Sequence, residues 1–159
     1  MVIIITGTRK GIGKELAEYF IADGHQVIGC SRGEASIEST NYEHHSLDIT
    51  NEIGIKMFFN QIRKKYGRLD VLINNAAVNN ALAPITLVSY NAAASTMNTN
   101  FMGSFLMSRE AIKLMMKNSF GRIVNMGSMA VKYEEKGEAI YTASKAALLA
   151  MTKIMAKEV

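Results

Sequence analysis

Tyr141 and Lys145 stand four residues apart, and on a helix that spacing puts both on one face. A lysine ammonium beside a phenol favours the phenolate and lowers a tyrosine from its ordinary pKa of about 10. A phenol tuned in this way can pass a proton near neutral pH. Ser128 ends an apolar run just upstream and offers a hydroxyl to the same reacting oxygen. Alone, Tyr-x-x-x-Lys describes many solvated helix neighbours, so the rest of the chain has to decide its meaning.

A second set of residues sits at the other end of the chain. Thr6-Gly7-Thr8-Arg9-Lys10-Gly11-Ile12-Gly13 follows the β-branched run Val2 to Ile5 and leads into helical spacing over Lys14 to Ala22. Strand, glycine loop and helix together open a dinucleotide-binding unit. Its glycines let the backbone turn tightly and approach a pyrophosphate, which the helix N-terminus attracts. The spacing is Gly-x-x-x-Gly-x-Gly rather than Gly-x-Gly-x-x-Gly. The next strand, Gln26 to Cys30, ends at Ser31-Arg32. An acid at that place would bind a ribose 2′-hydroxyl and exclude a 2′-phosphate. Arg32 suits a phosphate instead, and Lys10, beside Arg9 in the glycine loop, adds a second cation. NADP(H) is therefore expected in preference to NAD(H).

The elements that must position these groups alternate along the chain. A loop over residues 33–42 leads to a third strand, Glu43 to Leu47, followed by Asp48-Ile49. Asn51 to Tyr66 has the spacing of an amphipathic helix, with Ile55, Phe58, Phe59 and Ile62 inward, and Gly67 ends it. Leu69 to Ile73 is a fourth strand and leads to Asn74-Asn75-Ala76-Ala77, where asparagine side chains can tie neighbouring loops together. A short helix is expected over Ser89 to Met97 and a strongly apolar one over residues 101–117, with Asn98-Thr99-Asn100 between or within them. Gly121 to Met126 is the fifth strand, residues 129–138 read as a polar loop, and residues 139–159 read as helix. This alternation predicts an α/β fold, a Rossmann-type doubly wound parallel sheet of order 3-2-1-4-5 in a single domain over residues 1–159.

Composition bounds the function classes. The 159 residues, 48% apolar and 20% charged, suit one globular domain with a real core. No apolar run reaches a membrane span, the N-terminus lacks the pattern of a signal peptide, and the one cysteine offers no disulfide framework. A cytoplasmic location is expected, with no membrane partner. The net charge of +4 is scattered rather than striped, so no nucleic-acid partner is expected. His44 and His45 are adjacent and on a strand point to opposite faces, so no metal site is expected.

Taken in order and at their spacings, the glycine loop, Asp48, Asn74-Asn75-Ala76, Asn100 with Gly103, Ser128, and Tyr141 with Lys145 resemble the short-chain dehydrogenase/reductase family. The resemblance runs from the first residues to the last. It is to the compact single-domain branch, which includes bacterial 3-oxoacyl-carrier-protein reductases and related carbonyl reductases. It implies that Tyr141 donates a proton to a carbonyl, or accepts one from an alcohol. Lys145 would support Tyr141 and bind the nicotinamide ribose, Ser128 would hydrogen-bond the substrate oxygen, and Asn100 would hold a water behind Lys145. Gly7, Gly11, Ile12 and Gly13 would line the pyrophosphate, Asp48 and Ile49 would flank the adenine, and Asn75 and Ala76 would sit along the adenine ribose.

The implied substrate is a small carbonyl or alcohol, with a carrier-bound acyl group among the candidates. The implied assembly is a homodimer or homotetramer through helices 101–117 and 139–159. Ala77 stands where the family usually has glycine, adding one methyl near the cofactor. Family members also continue past the point where this sequence stops, inside a helix, so a C-terminally incomplete domain with later strands missing is expected. The alternative is a nucleotide-binding regulatory or structural chain without catalysis.

Overall fold

A computed structural model describes residues 1–35 and 37–159. The loop expected over 33–42 contains Ser36, which lies outside the described residues.

Val2–Thr6 forms β1, and all five residues are buried. Alternate side chains of a strand point to opposite faces, so β1 feeds two cores. Ile3 and Ile5 meet Ala17, Leu16, Phe20 and Ile21 of α1 (Gly11–Ala22) on one face. Val2 and Ile4 join the larger core on the other face, with Ile55, Phe58, Phe59 and Ile62 of α2 (Glu52–Tyr66). That face is completed by Leu106, Met107, Ala111, Leu114 and Met115 of a later helix. Full burial of each large aliphatic or phenylalanine side chain contributes roughly 1.5–3 kcal/mol before entropy is counted. The uninterrupted β-branched run of β1 is what a parallel strand covered on both faces requires.

The remaining strands are β2 (Gln26–Ser31), β3 (Tyr42–Ser46), β4 (Val71–Asn74) and β5 (Arg122–Asn125). All pairings are parallel, in the order β3-β2-β1-β4-β5. This is the expected doubly wound sheet, with the strand reversal between β1 and β4. At such a reversal the loops after neighbouring strands diverge and leave a crevice at the carboxyl edge of the sheet.

Local chemistry sets most helix limits. Asn51 caps α2 through its side chain, which accepts from the Gly54 amide at 3.0 Å, and Gly67 closes it with φ 67°. Arg63, Lys64 and Lys65 fall in its last turn, where the helix dipole favours cations. Ser89 caps α3 (Tyr90–Met97) in the same way, accepting from Ala92.

Three expectations change. The helix expected from Lys14 begins at Gly11, inside the glycine loop. The helix expected over 101–117 is not separate: α3 runs through π-helical turns over Asn98–Gly103 into α4 (Ser104–Met115). The region 129–138 is not all loop, because α5 (Ala130–Tyr133) forms where Ser128 Oγ accepts from the Ala130 amide at 3.1 Å. The last helix, α6, spans Ala139–Glu158. Among the described residues no helix is long and apolar enough to cross a membrane.

Candidate active site and cofactor cleft

A cleft of about 690 Å3 opens at the carboxyl edge of the sheet, where β1 and β4 part. Its lining contains Gly7, Arg9, Lys10, Gly11, Ile12, Ser31, Arg32, Asp48, Ile49, Asn75 and Ala76, all expected from the sequence. Cys30, Leu47, Ala77, Val78 and Thr99 also line it. Thr99 could have been found from its place in Asn98-Thr99-Asn100; Leu47 and Val78 enter only because the strands end where they do.

The glycine loop is fixed from two sides. The Gly7 amide donates to the Cys30 carbonyl at 2.7 Å, which binds the loop to β2. Thr6 Oγ1 accepts from the amides of Asn75 and Ala76, at 3.0 and 2.9 Å, and Asn75 Nδ2 donates to the Thr6 carbonyl at 2.9 Å. Thr6 was part of the motif without a role; it holds the turn after β4 against the loop after β1. Gly13 does not face the cleft. It lies beneath the loop, where a Cβ would collide with the Gly7 carbonyl and Asn75 Nδ2. Gly103, also without an expected role, lets the π-helical turns approach Ile49, whose Cδ1 a Cβ there would meet at 2.7 Å.

These residues fit a dinucleotide. Unlike α2 and α3, α1 has no side-chain cap, and its first turn carries no acid. Its leading amides are therefore open to an anion, which the helix dipole also attracts. Gly11, with φ +59°, has nothing within 4 Å on the side where a Cβ would stand. Beside this helix start Arg9 lies against Gly33, whose Cβ would come within 3.3 Å of the arginine Cδ. Arg9, which lines the cleft with Lys10, thus reaches the turn that carries Arg32 at the end of β2. Asp48 stands at the rim with its carboxylate oxygen accepting from the Thr50 amide and hydroxyl at 2.9 and 2.8 Å. Burial pushes the Cys30 thiol to about 12, against a smaller opposing effect of its hydrogen bond with Gly7, so it stays protonated and is no nucleophile at neutral pH. Among the described residues no three His, Cys, Asp or Glu side chains gather as a metal site.

Ser128, Tyr141 and Lys145 lie outside the lining of this cleft, on the segment after β5 and on α6. Lys145 is buried, and its Nζ donates to the Met126 carbonyl at 2.7 Å, at the end of β5. The same Nζ is 5.9 Å from the centroid of the Tyr141 ring, so the pair shares a helix face as its spacing required. Burial holds the Lys145 ammonium below the ordinary lysine range. Ser128 follows Met126 by two residues, and its oxygen already accepts from Ala130, which leaves its O–H to donate.

Asn100 connects the two halves. It is fully buried in the π-helical turns. Its Oδ1 accepts from the Val78 amide at 2.8 Å, and its Nδ2 donates to the Val78 carbonyl at 2.9 Å and to Ser144 Oγ at 3.0 Å. Ser144 in turn donates to the Tyr141 carbonyl at 2.7 Å. Both Asn100 amide hydrogens are therefore committed to protein, and a water at this residue would meet only its oxygens. The main-chain carbonyl of Asn100 accepts from Ser104 Oγ at 3.0 Å, within turns whose backbone ladder is widened. Behind them Asn74 Nδ2 donates to Ser108 Oγ and Asn125 Oδ1, at 2.9 and 2.8 Å, and Asn125 Nδ2 donates to Thr152 Oγ1 at 2.8 Å. That chain of polar groups links α4, β4, β5 and α6.

Comparison with known proteins agrees with this geometry. The family model for short chain dehydrogenase matches residues 1–159. The 3-oxoacyl-[acyl-carrier-protein] reductase FabG of Vibrio cholerae is 32% identical over 99% of this chain and 67% of its own length. The FabG of Escherichia coli K12 is 31% identical over the same shares. Among solved structures, ElxO with NADP bound has a TM-score of 0.93 at 32% identity, and 4-hydroxyisoleucine dehydrogenase complexed with NADH has 0.91 at 29%. These cover 99% of this chain and 67% and 68% of those chains. A short-chain dehydrogenase from Streptomyces avermitilis, TM-score 0.93 at 27% identity, is covered over 60% of its length. This chain thus spans about two thirds of the length of the relatives it matches, and with its whole length matched, its sheet order and its site geometry in accord, it belongs to the short-chain dehydrogenase family.

Proposed function

We propose that the protein is an NADP(H)-dependent oxidoreductase that reduces a ketone or aldehyde carbonyl to an alcohol, or runs the reverse. The observation that carries this reading is a single continuous arrangement. An uncapped helix start and two arginines define one end of a cleft, and Asn100 ties its other end to the helix bearing Tyr141 and Lys145.

A nicotinamide held in the cleft would supply a hydride to the carbonyl carbon, or take one from the alcohol carbon. The chain's own residues handle the oxygen. Tyr141 Oη gives a proton to the carbonyl oxygen as the hydride arrives, or takes it from the alcohol in reverse. The Ser128 hydroxyl donates to that same oxygen as negative charge builds on it, a preorganised stabilisation of the transition state. Lys145, fixed by the Met126 carbonyl, keeps a positive charge beside Tyr141 through both directions. Gly7, Gly11, Ile12 and the α1 amides hold the pyrophosphate, with Gly13 giving the loop its close seat on Asn75. Asp48 and Ile49 flank the adenine, Asn75 and Ala76 its ribose, and Arg9, Ser31 and Arg32 the 2′-phosphate. The NADP bound by ElxO and the acyl-carrier substrate in the name of FabG support the cofactor and keep a carrier-bound acyl group among the substrates.

The test is NADPH consumption across a panel of ketones, aldehydes and 3-oxoacyl thioesters. Tyr141→Phe is expected to lower turnover by about 10²–10⁴-fold while NADPH affinity stays within about twofold. Equal turnover in the two proteins overturns the mechanism. NADPH binding with no turnover on any member of the panel supports nucleotide binding without catalysis instead.

A further inference from the structure

We propose that His44, on a strand that does not line the cleft, is a positioning residue that sets the preference for a 2′-phosphorylated dinucleotide. This rests on the NADP(H) reading above.

Arg32 is exposed and makes no ion pair among the described residues. A loop arginine discriminates one phosphate only if the backbone that presents it is held. The turn Ser31-Arg32-Gly33 is held chiefly from β3. His44 Nε2 lies 2.9 Å from the Gly33 carbonyl and 3.2 Å from Ser31 Oγ, and Ser31 Oγ itself donates to Gly33 at 2.5 Å. A carbonyl only accepts, so Nε2 must carry a hydrogen whenever this bond is made.

The other ring nitrogen reaches the second cation-bearing turn. His44 Nδ1 lies 3.0 Å from the Tyr42 hydroxyl, which lies 2.9 Å from Thr8 Oγ1 in the glycine loop. Thr8 is fully buried and precedes Arg9, whose side chain lies against Gly33. One imidazole therefore spans from the turn of Arg32 to the turn of Arg9 through Tyr42 and Thr8. The path crosses β2 only because residue 29 is glycine: a Cβ there would overlap the Tyr42 hydroxyl and Thr8 Oγ1. Gly29 stands directly opposite His44 in the register of β2 and β3. Tyr42 and His44, two apart on β3, share the sheet face that makes the link possible. The arrangement fixes the two turns that carry these arginines relative to each other, and the phosphate they would grip is the group that NADH lacks.

The test titrates NADPH and NADH against the full 159-residue chain by nicotinamide fluorescence. His44→Phe keeps a ring of similar size and removes both nitrogens. It is expected to weaken NADPH binding about tenfold and NADH binding less than about twofold. His44→Gln, which restores an N–H toward Gly33, is expected to recover most of the preference, and a merely structural role would not split the two cofactors. Arg32→Ala runs alongside. A parent that binds both cofactors alike overturns the cofactor reading and this inference with it. A parent that prefers NADPH, loses the preference in Arg32→Ala and keeps it in His44→Phe overturns the His44 inference alone. Should His44→Phe fail to fold, as read by lost NADH binding, Tyr42→Phe reads the same link: about a threefold loss for NADPH only supports it, and an unchanged ratio overturns it.

Discussion

The Asn100 amide donates to Ser144 Oγ at 3.0 Å, and this bond joins the cleft at the carboxyl edge of the sheet to the helix that carries Tyr141 and Lys145. On its cleft side the same amide pairs with both main-chain groups of Val78. Asn100→Ala leaves those partly buried groups without their protein partners, which costs about 1 kcal/mol or more. We expect lower thermal stability and weaker NADPH binding together. Ser144→Ala keeps the Val78 pairing and cuts the link to α6 together with the Ser144 bond to the Tyr141 carbonyl, so turnover is expected to fall with cofactor affinity kept. Thermal denaturation and cofactor titration of the two variants separate the effects.

Lys145 is buried, and burial lowers its pKa, so the folded protein holds this ammonium at a cost. Its contribution to stability therefore grows as pH rises past the lowered value, and is unfavourable at neutral pH. Lys145→Met keeps the length of the side chain and removes the charge. Turnover is expected to be lost, while stability at pH 7 stays within about 1 kcal/mol of the parent, because the lost bond to Met126 is offset by the relieved desolvation. Chemical denaturation beside an activity assay checks both halves.

Gly11 and Gly13 belong to one motif but resist substitution for different reasons. At Gly13 an added methyl meets the Gly7 carbonyl and Asn75 Nδ2, groups fixed by their own hydrogen bonds. Gly13→Ala is expected to destabilise the fold by about 1–3 kcal/mol, the usual range for overpacking. At Gly11 the space is open and only the positive φ opposes a side chain, a cost of about 1–2 kcal/mol. Gly11→Ala is expected to obstruct the pyrophosphate more than the fold. Melting curves with and without NADPH distinguish them: added NADPH still raises the midpoint of Gly13→Ala, and raises that of Gly11→Ala little.

Asp70 fixes the first strand pair, accepting from the Val2 amide at 2.7 Å and from Arg68. Burial alone would raise its carboxyl, but the Arg68 guanidinium and the Val2 amide outweigh that and hold it below the ordinary range. A depressed carboxylate stabilises the fold fully above its unfolded pKa of about 3.9, and the contribution is lost as pH falls through the folded value. Asp70→Asn is expected to cost about 1–2 kcal/mol at pH 7 and progressively less as pH falls below about 4. Denaturation midpoints at a series of pH values check the convergence.

The alternation of strands and helices, the sheet order, and the core faces of α1 and α2 were legible in the sequence, because buried parallel strands and amphipathic helices write their period into the residue types. The same holds for the glycine loop and for Arg32 at the end of β2, since each depends on a strand end and a turn that local residues define. Tyr141 and Lys145 were legible as a pair for the same local reason.

Tertiary structure alone decided how these pieces meet. The sequence gives no sign that α3 and α4 are one run, interrupted by π-helical turns that bury Asn100 between Val78 and Ser144. Arg9 lies against Gly33, a contact between two loops that no spacing along the chain specifies. Gly29 is an ordinary glycine in the sequence, and Gly13 and Gly103 stand out there only as members of motifs; each is required by a group from elsewhere in the fold that occupies the place of its missing Cβ. Periodicity and turn chemistry are properties of neighbours along the chain, whereas a hydrogen bond between residues 44 apart, or a clash avoided across two strands, exists only once packing has brought them together.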